Sequence, residues 1–289
     1  MSSINIQGIL QHHGRQIEAA LNLDSNSARI EVQCLLQAVL QVNRAYLLTH
    51  PEQLLSDAQQ ARFNALFERR LSGEPVAYLL GEREFYGLTF KVSPATLIPR
   101  PETELLVDLA LQRISRQGTC RVLDLGTGSG AIALSIAYAR PHAEVVAVDI
   151  APAALEVAQM NVQQLKLGNV RLLQSDWFTA LRGEHFDIIV SNPPYIAVGD
   201  AHLGQGDVRF EPRIALASGA NGLQDIGHIC VQAKIHLNDY GWLLFEHGYD
   251  QAAQVRELFQ KSGFVNIFSA ADLAGIERVT GGLVISGGR

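Results

Sequence analysis

The run VLDLGTGSGAIALSIA puts an acid, Asp124, at the end of an apolar stretch; Gly126, Thr127, Gly128, Ser129 and Gly130 then make a turn, and Ala131 opens a helix. Glycines suit such a turn because a ligand can approach the backbone more closely than a Cβ allows, and because positive φ is open to them. A second apolar run ends in Asp149, 19 residues past Gly130. At that distance in a βαβ unit a carboxylate can accept hydrogen bonds from both hydroxyls of a ribose. These features fit either a nicotinamide dinucleotide or S-adenosylmethionine, since Gly126, Gly128 and Ala131 also satisfy the looser dinucleotide pattern. Asp124 weighs toward the second. It would sit poorly beside a pyrophosphate and well beside the ammonium of a methionine moiety, directly or through water.

A third apolar run leads into QSDWF, where Asp176 and Trp177 would meet an adenine, one accepting from its exocyclic amine and the other forming an apolar wall. A tryptophan there can equally be core. The fourth run, FDIIVSNPPYI, ends in Asn192, Pro193, Pro194 and Tyr195. In an open parallel sheet the carboxyl ends of the strands line the ligand crevice, so this segment faces the same cleft as the glycine turn. A carboxamide or aromatic amine has a delocalised lone pair and is a weak nucleophile. The Asn192 side-chain oxygen and the Pro193 carbonyl could hold its two N–H groups, the prolines remove competing donors, and Tyr195 could stack on the flat group. Catalysis would be mostly orientation plus stabilisation of developing charge. Alone, Asn-Pro-Pro is only a turn signal. One strand beyond the Asp176–Trp177 pair, it reads as the acceptor site for methyl transfer to a planar, amide-like nitrogen.

The elements that must position these residues alternate. Strands are expected at Arg121–Leu125, Glu144–Asp149, Val170–Gln174, Phe186–Ser191 and Gly241–Glu246, with helices such as Ala131–Ala139, Pro152–Leu165 and Gln251–Lys261 between them. This rhythm implies a buried parallel sheet covered on both faces. Val265–Ala270 and Leu283–Ile285 are expected to pair antiparallel at one edge. Upstream the chain reads helical. One helix covers about Ile6 to Leu21. A second carries the stripe Val32, Leu35, Leu36 and Val39, is capped by Ser25 or Ser27 and ends at His50–Pro51. A third starts near Ser56, carries Phe63, Leu66 and Phe67, and stops at Gly73. A hairpin, Glu84–Tyr86 and Thr89–Val92 turning at Gly87, follows. The division expected is a helical substrate-recognition domain over 1–75, a hairpin linker over 76–100 and a methyltransferase domain over 101–289.

The chain has 289 residues, 47% hydrophobic and 18% charged, an ordinary globular balance. Its net charge of −6 lacks the basic excess that phosphate contacts demand of a nucleic-acid enzyme. Arg69–Arg70 reads as a solvated helix face, as does His12–His13. Cys34, Cys120 and Cys230 form no CxxC pair, which suits reduced thiols better than disulfides or zinc. No metal is expected, because the nine histidines show no ligand spacing. No apolar run approaches a membrane span, and the first twenty residues are polar where a secretory leader needs an apolar core. The expectation is a soluble, cytoplasmic monomer with no membrane and no stable nucleic-acid partner.

Over nearly its whole length the chain resembles the protein-(glutamine-N5) methyltransferases of the HemK/PrmC type. NPPY alone is shared with adenine-N6, cytosine-N4 and guanine-N2 methyltransferases. More discriminating is LIPRPETELLV at Leu97–Val107, with Arg100, Pro101, Glu102 and Glu104, which is similar to the release factor branch and not to the ribosomal-protein branch. FEPRIALASGANGL (Phe210–Leu223) and GEPVAYLLGEREFYG point the same way. The resemblance implies an α/β fold, a seven-stranded Rossmann-like class I methyltransferase sheet behind a small helical bundle and hairpin. It implies N5-methylation of the glutamine in the Gly-Gly-Gln loop of class 1 peptide release factors, with S-adenosylmethionine as donor and S-adenosylhomocysteine as product. A ribosomal-protein glutamine or an exocyclic base amine is the alternative acceptor. Cofactor contacts map to Gly126–Gly130, Asp149, Trp177 and Asn192, and the substrate glutamine to Asn192–Tyr195. Glu102 and Glu104 are expected to start a helix over the cofactor, and Glu246 and His247 to end the fifth strand beside the cleft.

Overall fold

The computed structural model describes residues 4–285, and the chain divides into two compact units. The first runs to Gly81 and includes Gly204–Phe210. It holds α1 (Ile6–Leu21), α2 (Ser25–Leu40), α3 (Arg44–Thr49), α4 (Asp57–Leu71) and α5 (Val76–Leu80). The stripe Val32, Leu35, Leu36 and Val39 is buried in one cluster with Ile6, Ile9, Ile17, Phe63 and Phe67. Burying apolar area at about 25 cal/mol per Å² is what such short helices need, since they are marginal alone.

Four local details differ from the sequence reading. Asp24 caps α2, its carboxylate accepting from the amides of Asn26 and Ser27 at 3.0 Å each, so neither Ser25 nor Ser27 is the cap. The α2 helix stops at Gln41, which is left-handed with φ 56°; Asn43 then restarts the chain as α3, and His50 closes that helix instead. Arg70 is no solvated side chain. It is among the largest fully buried residues. Its guanidinium grips both oxygens of Glu31 at 2.7 and 2.9 Å and meets Asp207 at 2.9 Å. A buried guanidinium must fill its donors, and here a bidentate carboxylate and two backbone carbonyls do so. Arg69 stays exposed, paired with Glu74. His12 is exposed, but His13 packs edge-on against Phe63 and Phe67.

The second unit spans Glu82–Leu203 and Glu211 onward. It opens with the hairpin β1 (Glu82–Phe85) and β2 (Leu88–Lys91), shifted slightly toward the N-terminus of the expected one. Tyr86 and Gly87 both have positive φ, the two-residue turn that matches strand twist. Phe85 and Phe90 enter the core of this unit. The sheet that follows has seven strands: β3 (Cys120–Leu125), β4 (Ala143–Asp149), β5 (Val170–Gln174), β6 (Phe186–Ser191), β7 (Leu237–Glu246), β8 (Val265–Ala271) and β9 (Glu277–Leu283). Their order is β5-β4-β3-β6-β7-β9-β8, with β9 antiparallel to both neighbours and the pairs from β5 to β7 parallel.

Helices α6 (Glu104–Leu111), α7 (Ala131–Ala139), α8 (Pro152–Leu165), α9 (Gln224–His236) and α10 (Ala252–Lys261) complete it. Two cores follow from the period-2 alternation of strands. Val122, Val145, Ala147 and Ile188 pack on one face with α6 and α7. Leu123, Leu125, Val146, Val148 and Ile189 pack on the other with α9 and α10. Connections leave β3 toward one side and β6 toward the other, so the crevice for a ligand opens at their carboxyl ends.

The last strand begins at Glu277, ahead of the expected Leu283–Ile285. The strand runs through Gly281 and Gly282, although glycine weakens strand interiors. Their reason is space. A Cβ on Gly281 would lie 2.5 Å from Leu244 and one on Gly282 2.6 Å from the Phe259 ring. We expect Gly282→Ala to destabilise the protein by about 1–3 kcal/mol, as overpacking does, read as a lower midpoint in urea unfolding at unchanged m.

Candidate functional site

A cavity of about 290 Å³ lies at the carboxyl ends of the central strands. Gly126, Thr127, Gly128, Ser129, Asp149, Asp176, Trp177, Asn192 and Pro194 line it. The folding of the turn explains their convergence. Gly126, Gly128 and Gly130 all take positive φ, at 72°, 56° and 85°. The Gly128 amide donates to Asp149 Oδ2 at 2.8 Å and the Ala151 amide to Oδ1 at 2.9 Å, so the carboxylate of β4 is pinned between the turn and α8. Trp177 also has positive φ, 46°, a conformation that costs a bulky residue energy. The Ser175 hydroxyl donates to its carbonyl at 2.7 Å, and its ring stands beside Gly126.

Asp124 is set behind the turn and not on the cavity wall. It is fully buried, with Oδ2 accepting from the Thr127 hydroxyl at 2.7 Å and the Ala133 amide at 3.2 Å. Its Oδ1 makes no hydrogen bond among the described residues. Burial pushes its carboxyl up to about 7, opposed by those two donors and reinforced by the nearby Asp149 charge. Gly130 is likewise off the wall, as the residue that enters α7.

The donor set fits S-adenosylmethionine. Asp149 offers acceptors to a ribose, Asp176 and Trp177 an acceptor and an apolar face to a purine, and Asp124 a buried oxygen still without a donor. A Cβ at Gly128 would meet no protein atom within 4 Å, so the room its absence leaves belongs to the cavity.

On the acceptor side, Asn192 Nδ2 donates to Thr103 Oγ1 at 3.3 Å. Its Oδ1 accepts nothing from the described residues. Pro193 is buried and Pro194 lines the cavity. Tyr195 does not reach the wall: it packs with the α9–α10 core, and its hydroxyl donates to Glu246 Oε1 at 3.3 Å. A phenol hydroxyl inside the protein needs an acceptor, and Glu246 supplies it. Burial pushes the Tyr195 hydroxyl far up and Glu246 up to about 7.

Several supporting residues escaped the sequence reading. Asn161, fully buried on α8, donates to the Ser129 carbonyl at 2.8 Å and to the Lys91 carbonyl at 3.0 Å while accepting from the Lys91 amide, tying the hairpin to the glycine turn. Glu211, buried in the FEPR segment, accepts from the Ile98 amide at 3.0 Å and from the Arg100 guanidinium. This joins LIPRPETE to FEPRIAL, and both lie along the cavity. An arginine in one motif and an acid in the other were the signal, but 111 positions separate them. Glu104 accepts from the Tyr86 amide at 2.9 Å, a structural tie at the start of α6.

Comparison with known proteins agrees with this geometry. Residues 14–81 match the model of the PrmC N-terminal domain, and residues 102–247 that of the methyltransferase small domain. The chain is 51% identical over 259 residues to the release factor glutamine methyltransferase of Salmonella typhimurium, covering 90% of this chain and 93% of that protein. It is 48% identical over 270 residues to that of Escherichia coli, covering 93% and 97%. Among solved structures, a methyltransferase from Pyrococcus furiosus shares the fold with a TM-score of 0.53 at 19% identity, over 75% of this chain and 96% of that one. The T. thermophilus 16S rRNA N2 G1207 methyltransferase, solved with AdoMet and guanosine, does so with a TM-score of 0.52 at 23% identity, over 70% and 49%. With identities near one half along almost the full length, the chain belongs to the release factor glutamine methyltransferase family.

Proposed function

We propose that this chain methylates N5 of the glutamine in the Gly-Gly-Gln motif of class 1 peptide release factors. The observation that carries the reading is the single cavity that the glycine turn, Asp149, Trp177 and Asn192 share. S-adenosylmethionine, when bound, supplies an electrophilic methyl group on its sulfonium and leaves as S-adenosylhomocysteine. Asp149 holds the ribose, and Asp176 and Trp177 hold the adenine. Asp124 braces the turn from behind, through the Thr127 hydroxyl and the Ala133 amide.

The Asn192 side-chain oxygen and the Pro193 carbonyl accept the two N–H groups of the substrate carboxamide. They turn its nitrogen lone pair toward the methyl group and offset the positive charge that grows there. Pro194 shapes the wall, and Tyr195 supports the loop from behind. The methylated nitrogen then releases one proton to water, so no strong base is needed. The helical N-terminal part acts as the substrate-recognition domain. The protein works in the cytoplasm as a monomer on a protein substrate; among the described residues no helix is long and apolar enough to cross a membrane.

The test is methyl transfer from labelled S-adenosylmethionine to a purified class 1 release factor, beside a copy whose Gly-Gly-Gln glutamine is alanine. Label on the first alone is expected. Label on neither, with donor binding intact, refutes the acceptor and directs the search to ribosomal proteins and RNA.

A further inference from the structure

Thr103 and Glu246 take no part in the reaction proposed above, yet both are buried next to the acceptor loop. Thr103 sits in the short turn that precedes α6, and Glu246 ends β7. Each is paired with a residue of the acceptor loop, Thr103 with Asn192 and Glu246 with Tyr195. Asn192 Nδ2 donates to the Thr103 hydroxyl at 3.3 Å, and Tyr195 donates to Glu246 Oε1 at 3.3 Å. The Thr103 hydroxyl also faces Glu246 and is foremost among the groups that favour its carboxylate form. Glu246 Oε2 is buried and makes no hydrogen bond among the described residues. An ionised carboxylate can only accept. It therefore draws the Thr103 hydrogen toward itself and leaves the hydroxyl lone pairs for the Asn192 NH₂.

A carboxamide has two nearly equivalent orientations, and only one is useful here. With NH₂ held by Thr103, the oxygen points to the cavity; flipped, Asn192 would present two donors to a substrate that also offers two. We propose that Thr103 and Glu246 are positioning residues that fix the Asn192 carboxamide with its oxygen toward the acceptor nitrogen. The inference rests on the function proposed above for the reacting group, but the orientation itself can be tested without it.

Protonation bears on the device directly. A neutral Glu246 has a hydrogen of its own to place, and it competes with Asn192 for the Thr103 lone pairs. The groups facing Glu246 are Thr103 and Glu102 from the turn, Tyr195 from the acceptor loop and Arg278 from β9, with Arg100 near Tyr195. Burial dominates them and raises the carboxyl to about 7. Turnover at saturating donor and acceptor is then expected to rise with pH through about 7 as Glu246 ionises.

The experiment compares wild type with T103V, T103S and E246Q. T103V is expected to lose at least about tenfold in kcat while donor Kd and melting temperature stay near wild type, and T103S to recover most of it. E246Q is expected to lose kcat similarly and to flatten the rise through neutral pH. In ¹⁵N spectra, hydrogen exchange of the Asn192 side-chain amide, assigned by its loss in N192A, is expected to be slow in wild type and T103S and fast in T103V. Wild-type kcat in T103V, no recovery in T103S, an unchanged pH limb in E246Q, or equal exchange in all variants would overturn the proposal. If wild type fails to methylate a release factor, the functional reading falls, and the exchange measurement alone still decides this one.

Discussion

Asn192→Ala is expected to lower kcat by about 10²–10³, the size of effect seen when one preorganised polar group is removed from a transition state. In the function proposed above the substrate nitrogen is held by two acceptors, and this change deletes the one that is a side chain. What is lost is alignment of a weak nucleophile with the methyl group, together with stabilisation of the charge that grows on nitrogen. Both are needed more in the transition state than in the ground state, so the loss belongs in kcat. Donor affinity is expected to change by less than about tenfold, because Asn192 contributes at most one hydrogen bond to that end of the cavity. Single-turnover transfer of labelled methyl at saturating donor, beside calorimetric titration of the donor, separates the two. A variant that binds donor normally and still turns over at wild-type rate would remove Asn192 from the reaction. The truncation leaves the acceptor loop intact, since Ser191 still ties β6 to the Leu125 carbonyl and Gln251 still holds the Tyr195 carbonyl.

The elements that carry local signals were legible in the sequence. The α1, α7 and α8 helices and the strands β5 and β6 fall on the residues where periodicity and apolar runs put them. The glycine turn and Asp149 were legible too, because a positive-φ turn between strand and helix leaves few alternatives to glycine. What was hidden depends on partners far apart in the chain. Nothing near Arg70 says that Glu31 and Asp207 will surround it, so a charged residue on a helix reads as solvated until both distant partners are seen. The same holds for Tyr195. Its place after two prolines suggests a stacking platform, and only the position of Glu246, 51 residues on, shows where its hydroxyl goes. Gly281 and Gly282 carry no local signal for a related reason: their small size answers Leu244, Phe268 and Phe259, all distant in the chain or on another element. Asp124 lies between these cases. The sequence put an acid beside the turn, but only burial shows that it works from behind it.

Asp149→Ala is expected to weaken S-adenosylmethionine binding by on the order of 10²-fold or more, since each hydrogen bond to a charged group contributes about 1.5–3 kcal/mol. Two effects add. The ribose loses a carboxylate that can accept from both of its hydroxyls, and the Gly128 and Ala151 amides lose their acceptor. The second effect loosens the turn at a residue whose φ of 56° only glycine takes easily, so the cradle itself becomes less preorganised. Asp149→Asn separates the contributions. Its oxygen can still take one of the two amides, while its NH₂ faces the other as a donor, so part of the turn is kept and the ribose contact is halved. The expected order of donor affinity is therefore wild type, then Asn, then Ala, measured by calorimetric titration at constant salt. Turnover at saturating donor is expected to stay within about threefold of wild type in the Asn variant, because the role proposed for Asp149 is at the ribose, and uniform binding alters KM and not kcat. An Ala variant with wild-type donor affinity would mean that the ribose lies elsewhere in the cavity, and the placement of adenine against Trp177 would fall with it.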